Sequence, residues 1–120
     1  MALERGKLTN VTQVAAGATV GILTVADSKK VYVKSIICHA AGSGIGTGTA
    51  QVYMVPNGGS FGITNRIFDV DVRAGESVLL EPSYPIVMDT TGDSLRVGTG
   101  NITGIGATHI NFLITGDKEA

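Results

Sequence analysis

Chemistry in a chain this short must come from few side chains: the 120 residues hold two histidines, one cysteine and ten carboxylates. Ser94, in Gly92-Asp93-Ser94-Leu95, stands where a serine esterase would carry its nucleophile. That reaction needs a histidine base held by a carboxylate. The one histidine downstream is His109, and Ile105, Gly106, Ala107 and Thr108 ahead of it include no acid. The tetrapeptide therefore reads as a turn entering a strand, and no catalytic residue is expected. Asp69 and Asp71 share a strand face, with Glu76 soon after. Calcium wants about six to eight oxygens in a cage, so these three read as a solvated face with Arg66 and Arg73 as counter-charges. Cys38 and His39 point to opposite sides of one strand, Cys38 as a small buried hydrophobe. His39 and His109 without a placed carboxylate make no metal site. A single cysteine excludes an internal disulfide.

Other motifs also fall to plain structural readings. Gly42, Gly44, Gly46 and Gly48 alternate as in a phosphate cradle, but a cradle opens a helix, and here a strand pattern follows. No cofactor is expected. Lys29, Lys30, Lys34 and Tyr32 are the one local basic group beside an aromatic. They are too few for a nucleic-acid stripe, and the net charge is −1. Asn10-Val11-Thr12 and Asn101-Ile102-Thr103 match the glycosylation sequon. Met1 to Lys7 mixes acid and base and leads into no apolar stretch, so no secretory signal is expected and the sequons read as chance.

The elements that position these residues are strands. Lys30 to Ala40 alternates β-branched and aromatic residues, with Val31, Val33 and Ser35 set against Tyr32, Lys34 and Ile36. Gln51 to Val55 stops at Pro56-Asn57-Gly58-Gly59, a turn. Arg66 to Val72 places Phe68, Val70 and Val72 on a core face. Further strands are expected at Leu8 to Val14, Gly21 to Val25, Ser77 to Leu80, Ile86 to Met88, Ser94 to Val97 and Ile110 to Thr115. Turn signals every ten residues or so with short strands between them predict an all-β, antiparallel sandwich, jelly-roll-like, of about eight strands. Residues 1–120 form one domain, with residues 1–8 set apart as an N-terminal arm that orders where a partner covers it.

Composition narrows the function classes. Charged residues are 16% of the chain against a usual quarter or so, glycine is 17 of 120, and tryptophan is absent. No apolar run approaches the ~20 residues of a spanning helix, so no membrane partner is expected. The segments Ala40 to Ala50 and Val97 to Thr108 are rich in Gly, Thr and Ala and nearly uncharged, which favours packing against a partner. In Ile110 to Thr115, Ile110, Phe112 and Ile114 make one apolar face, and Leu113 lies on the opposite, half-apolar one. A plain core is the first reading of that strand, and cover by another subunit the second. The expected interface residues are Ile110, Phe112, Leu113, Ile114, Ile45, Ile102 and Ile105.

One set of pieces occurs in a recognisable order. Val31-Tyr32-Val33-Lys34-Ser35-Ile36 is followed by Val52-Tyr53-Met54-Val55-Pro56-Asn57-Gly58-Gly59-Ser60. Then come Ala74-Gly75-Glu76-Ser77-Val78-Leu79-Leu80, Pro85-Ile86-Val87-Met88 and Gly92-Asp93-Ser94-Leu95-Arg96-Val97. Over residues 20–115 this resembles the small β-sandwich virion proteins of tailed bacteriophages, cyanophages among them. The resemblance implies a non-enzymatic structural protein located in the virion, as capsid decoration or cement or as a neck–tail component. It implies a homo-oligomer, by preference a homotrimer, that also contacts other virion proteins such as the major capsid or a neck or tail protein. The alternative is a fibre-type receptor- or carbohydrate-binding module, against which stand the absence of Trp and a total of six Tyr and Phe.

Overall fold

The computed structural model describes residues 3–26, 29–42, 46–103 and 107–119, with backbone alone at 101–103 and 107–108. Its two longest strands, β4 (Val31–Gly42) and β10 (Ala107–Glu119), run antiparallel along most of their length. On β4, Val31, Val33, Ile36, Cys38 and Ala40 point inward; on β10, Ile110, Phe112 and Ile114 do. β-branched and aromatic side chains suit this pleated, half-buried surface. The strands β1 (Leu3–Lys7) and β2 (Thr12–Ala15) lie end to end along the free edge of β10. Across the sheet, β7 (Ser77–Leu80) and β8 (Ile86–Met88) lie end to end along β4. The residues between β7 and β8 include Pro82 and Pro85, which have no N–H to give a ladder.

The second sheet has the order β3 (Thr19–Thr24), β9 (Ser94–Thr103), β5 (Thr47–Val55), β6 (Arg66–Arg73). All its pairings are antiparallel. With each end-to-end pair counted once, the chain fills eight positions, ordered 1-8-3-6 in one sheet and 2-7-4-5 in the other. That interleaving is the jelly roll. The expected β-sandwich is therefore observed. The strand count is corrected from about eight to ten among the described residues, because two of the eight positions are each filled by two short strands. Between the sheets lies one core of Phe112, Ile36, Met88, Leu95, Ile110, Ile114 and a set of valines, all under 2% exposed. Burying such a side chain stabilises the fold by roughly 1.5–3 kcal/mol.

Four expectations change. Strict alternation along β4 fails at Lys34–Ser35, where the register against Thr115 and Gly116 slips and both Val33 and Ile36 face the core. This is a bulge, one extra residue on one strand. It depends on Gly116, because a methyl group there would run into the Tyr32 carbonyl. Of the strand expected at Leu8 to Val14 only Thr12 to Val14 is strand, within β2; between β1 and β2, Leu8 N–H donates to the Ile114 carbonyl (2.7 Å) and Thr9 Oγ1 accepts from Ile114 N–H (3.3 Å). The residues read as an arm pair with this chain's own β10, Leu3 opposite Glu119 through Lys7 opposite Thr115, with their side chains exposed. Backbone hydrogen bonding, not apolar burial, places them. The Gly-rich segments are likewise largely strand: 40–42 ends β4, 47–50 begins β5 and 97–103 belongs to β9.

Candidate functional site

The serine and histidines come first. Gly92 takes φ +88 in the turn before β9, and the Asp93 carboxylate accepts from the Asn57 N–H (2.9 Å). Ser94 opens β9, paired with Val55 and Thr24. His109 lies in the other sheet beside Ala41, at the opposite end of the sandwich. The structure does not bring them together. It brings together a pair that the sequence does not advertise: His39 Nδ1 and Ser77 Oγ are 2.9 Å apart on the outer surface. They are 38 residues apart in the chain and meet through the β4–β7 register. A nucleophile–base pair needs a third group to orient the base, and among the described residues none bonds to the His39 ring from its other side. Asp69 pairs with Arg66 (3.3 Å) and Asp71 accepts from Thr49 (3.0 Å), so both serve the outer face of β6. Among the described residues no three His, Cys, Asp or Glu side chains group as metal ligands would. Cys38 is fully buried, and burial pushes its thiol up to about 12.

The expected interface residues divide. Ile110, Phe112 and Ile114 are 0% exposed within this chain's own core, which leaves them nothing to offer a partner. Leu113 points outward. Ile102 pairs with Gly48 along the β9–β5 ladder. Ile45 and Ile105 lie outside the described residues.

Leu113 proves to be the middle of something larger. It pairs with Ile37, and Ile37 pairs with Leu79. On its other side Phe112 pairs with Thr12, which sets Val11 beside Leu113. Val11, Leu113, Ile37 and Leu79 thus form one aliphatic row across all four positions of the β4–β10 sheet, on its outer face. Val11 is 64% exposed and Leu79 56%. The next row, Gln13, Asn111, His39 and Ser77, is polar without formal charge at neutral imidazole. A depression of about 190 Å³ opens between the two rows where Val11, Leu113, Ile37 and Asn111 meet. The Asn111 Oδ1 is buried there and has no hydrogen-bond partner.

Further along the same face the Ser35 and Thr115 hydroxyls bond to each other. They floor a broad cleft of about 570 Å³ between Lys34 and Glu81. Tyr84, 86% exposed, stands in the chain between Ser83 and Pro85 of its wall. Lys34 Nζ bonds the buried Asp117 at 2.7 Å and Arg5 Nε bonds it at 3.2 Å. The Lys34 hydrogen bond leads in holding the Asp117 carboxyl below the usual range, with Arg5 adding to it. The outer face of the other sheet is arranged differently. The Phe61 ring covers the Arg96 guanidinium at 4.9 Å and meets Tyr53 edge-on at 5.4 Å. Arg96 Nη2 also donates to the Thr19 carbonyl (3.2 Å).

No family profile and no curated protein sequence matches the chain. Among solved structures it is similar to a chain of infectious bursal disease virus, Gx strain, at 16% identity and a TM-score of 0.49. The match covers 95% of this chain and 32% of that one. A chain of the Gt strain of the same virus matches at 12% identity and a TM-score of 0.44, over 98% of this chain and 32% of that one. The chain therefore spans about a third of the length of both.

Proposed function

We propose that this chain is a non-enzymatic structural protein of a virion that works by adhesion. The observation that carries the reading is the outer face of the β4–β10 sheet, where an aliphatic row crosses β10, β4 and β7 from Val11, just ahead of β2, and is exposed at both ends. Apolar rows on such a face mark surfaces that another protein covers. The ordered phage-like motifs over residues 20–115 supply the setting, capsid decoration or a neck–tail position with self-association. The jelly-roll order agrees with them, since that architecture recurs in capsid domains. In this setting the protein buries neutral surface against its own copies and against a shell or tail protein, and so stabilises the particle. The three-fold arrangement that the resemblance implies is one form this self-association can take. Sedimentation of the purified chain at micromolar concentration tests the reading. More than one subunit is expected; a clean monomer of 12.3 kDa overturns self-association.

A second reading has one specific observation behind it. The cleft between Lys34 and Glu81, with hydroxyls on its floor and Tyr84 beside it, offers donors, an acceptor and an apolar platform, as a saccharide requires. Jelly rolls also serve as lectins. Saturable binding on a glycan array, lost in Tyr84→Ala, would favour that fibre-type role.

A further inference from the structure

The row on the β4–β10 sheet is lopsided, and its shape selects its partner. Both ends of the row stand out of the surface, Leu79 at the β7 end 56% exposed and Val11 at the β2 end 64%. Toward the β2 end the surface dips into the 190 Å³ depression beside Val11 and Leu113. A projection and a hollow of matching chemistry on one face are self-complementary under a two-fold axis that runs along the strands. Such an axis lays each Leu79 over the hollow of the other copy, so the same contact forms twice, as an isologous interface requires.

The dimensions suit a stable pair. Four strand positions about 4.8 Å apart and a rise of about 3.4 Å per residue make a face of roughly 700 Å² over the eleven paired rows of β4 and β10. A standard stable interface takes about 800 Å² from each partner. The two middle rows carry no formal charge, and Lys34 and Lys7 lie toward one end of the same face, so charge is kept out of the apolar centre as it is in interfaces.

We propose that two copies of this chain pack face to face through the outer surface of the β4–β10 sheet, Leu79 of each seated in the hollow beside Val11 of the other. The inference rests on the self-associating reading above and replaces its three-fold form with a two-fold one.

Charge complementation tests it. Leu79→Glu and Val11→Lys are made singly, on side chains exposed enough to leave the thermal melt within a few degrees of wild type. By sedimentation each variant alone should associate at least tenfold more weakly than wild type, because both contacts of the pair are damaged. In an equimolar mixture each hetero-pair has one intact Leu79 contact and one Glu–Lys contact, so association should return to within about threefold of wild type. Ile67→Glu, on the other sheet, should leave association unchanged. If wild type associates but neither variant weakens it, the face is wrong while self-association stands. If both weaken and the mixture does not recover, Leu79 does not meet Val11 and the geometry is overturned. A monomeric wild type overturns the pair and the self-associating reading together, and co-sedimentation of that monomer with another virion protein would name a different occupant.

Discussion

The two sheets bury the same kind of side chain and present opposite outer faces. On the sheet of β3, β9, β5 and β6, outward charged and aromatic side chains pair with one another, although the Arg96 Nε is buried without a hydrogen-bond partner. Asp69 holds Arg66, Asp71 accepts from Thr49, and Phe61 folds over Arg96. Its exposed apolar residues, such as Ile67 and Val20, stand singly, which is ordinary for a surface. On the sheet with β4 and β10 the outward aliphatics line up across β10, β4 and β7, with Val11 at one end of the row and the buried, unpartnered Asn111 oxygen beside it. The difference is one of register. Alternation decides which side chains leave the core, but cross-strand pairing decides whether they meet a counterpart or one another.

The largest effect should come from crossing between the two sides of β10. Phe112→Ala empties the centre of the core and should cost about 3–5 kcal/mol in denaturant unfolding, whereas Leu113→Ser, one residue on, should cost far less and act on association instead. Equal destabilisation by the two would mean that the outward face is not a separate surface. Next comes the bulge that sets which residues of β4 face out. Gly116→Ala should cost about 1–3 kcal/mol by forcing the Tyr32 backbone to move, and a melt unchanged from wild type would show that the register can slip without harm.

Asp117 sharpens the comparison through pH. Its carboxyl is held below its unfolded value by Lys34 and Arg5, so the folded state binds fewer protons there and the pairing stabilises above the ordinary carboxylate range. That stability is lost as pH falls through the lowered value. Asp117→Asn should therefore lower the melting temperature at neutral pH, with the gap from wild type closing in strong acid. A gap that widens in acid would reverse the assignment. The smallest effect belongs to the self-satisfied face: Phe61→Ala should cost about 0.5–1 kcal/mol, the worth of an exposed cation–aromatic contact, and leave sedimentation untouched.

Much of the architecture was legible in the sequence where apolar periodicity carried it. Ser77–Leu80 and Ile86–Met88 fall where alternation and turn residues put them, and Phe68, Val70 and Val72 turn inward as expected. Leu3–Lys7 was not legible, because Leu-Glu-Arg-Gly-Lys has no buried member and is held by backbone pairing and the Arg5–Asp117 ion pair, neither of which leaves an apolar pattern. The bulge at Lys34–Ser35 shifts β4 by one residue with no local marker. Of the candidate surface the sequence yielded Leu113 alone. Ile37, Leu79 and Val11 join it through registers between residues tens of positions apart, which no local pattern encodes.

Cys38 gives the core a reporter of its own. With its sulfur shut between the sheets and its proton held up to about 12, the folded chain presents no thiolate to an alkylating reagent. Labelling must then wait for β4 to come away from its neighbours, and its rate counts the fraction of molecules that are open at any moment. Mass spectrometry over a time course of maleimide exposure would read that fraction directly. It would show whether assembly slows the breathing of the central strands or leaves it as it is in the free chain.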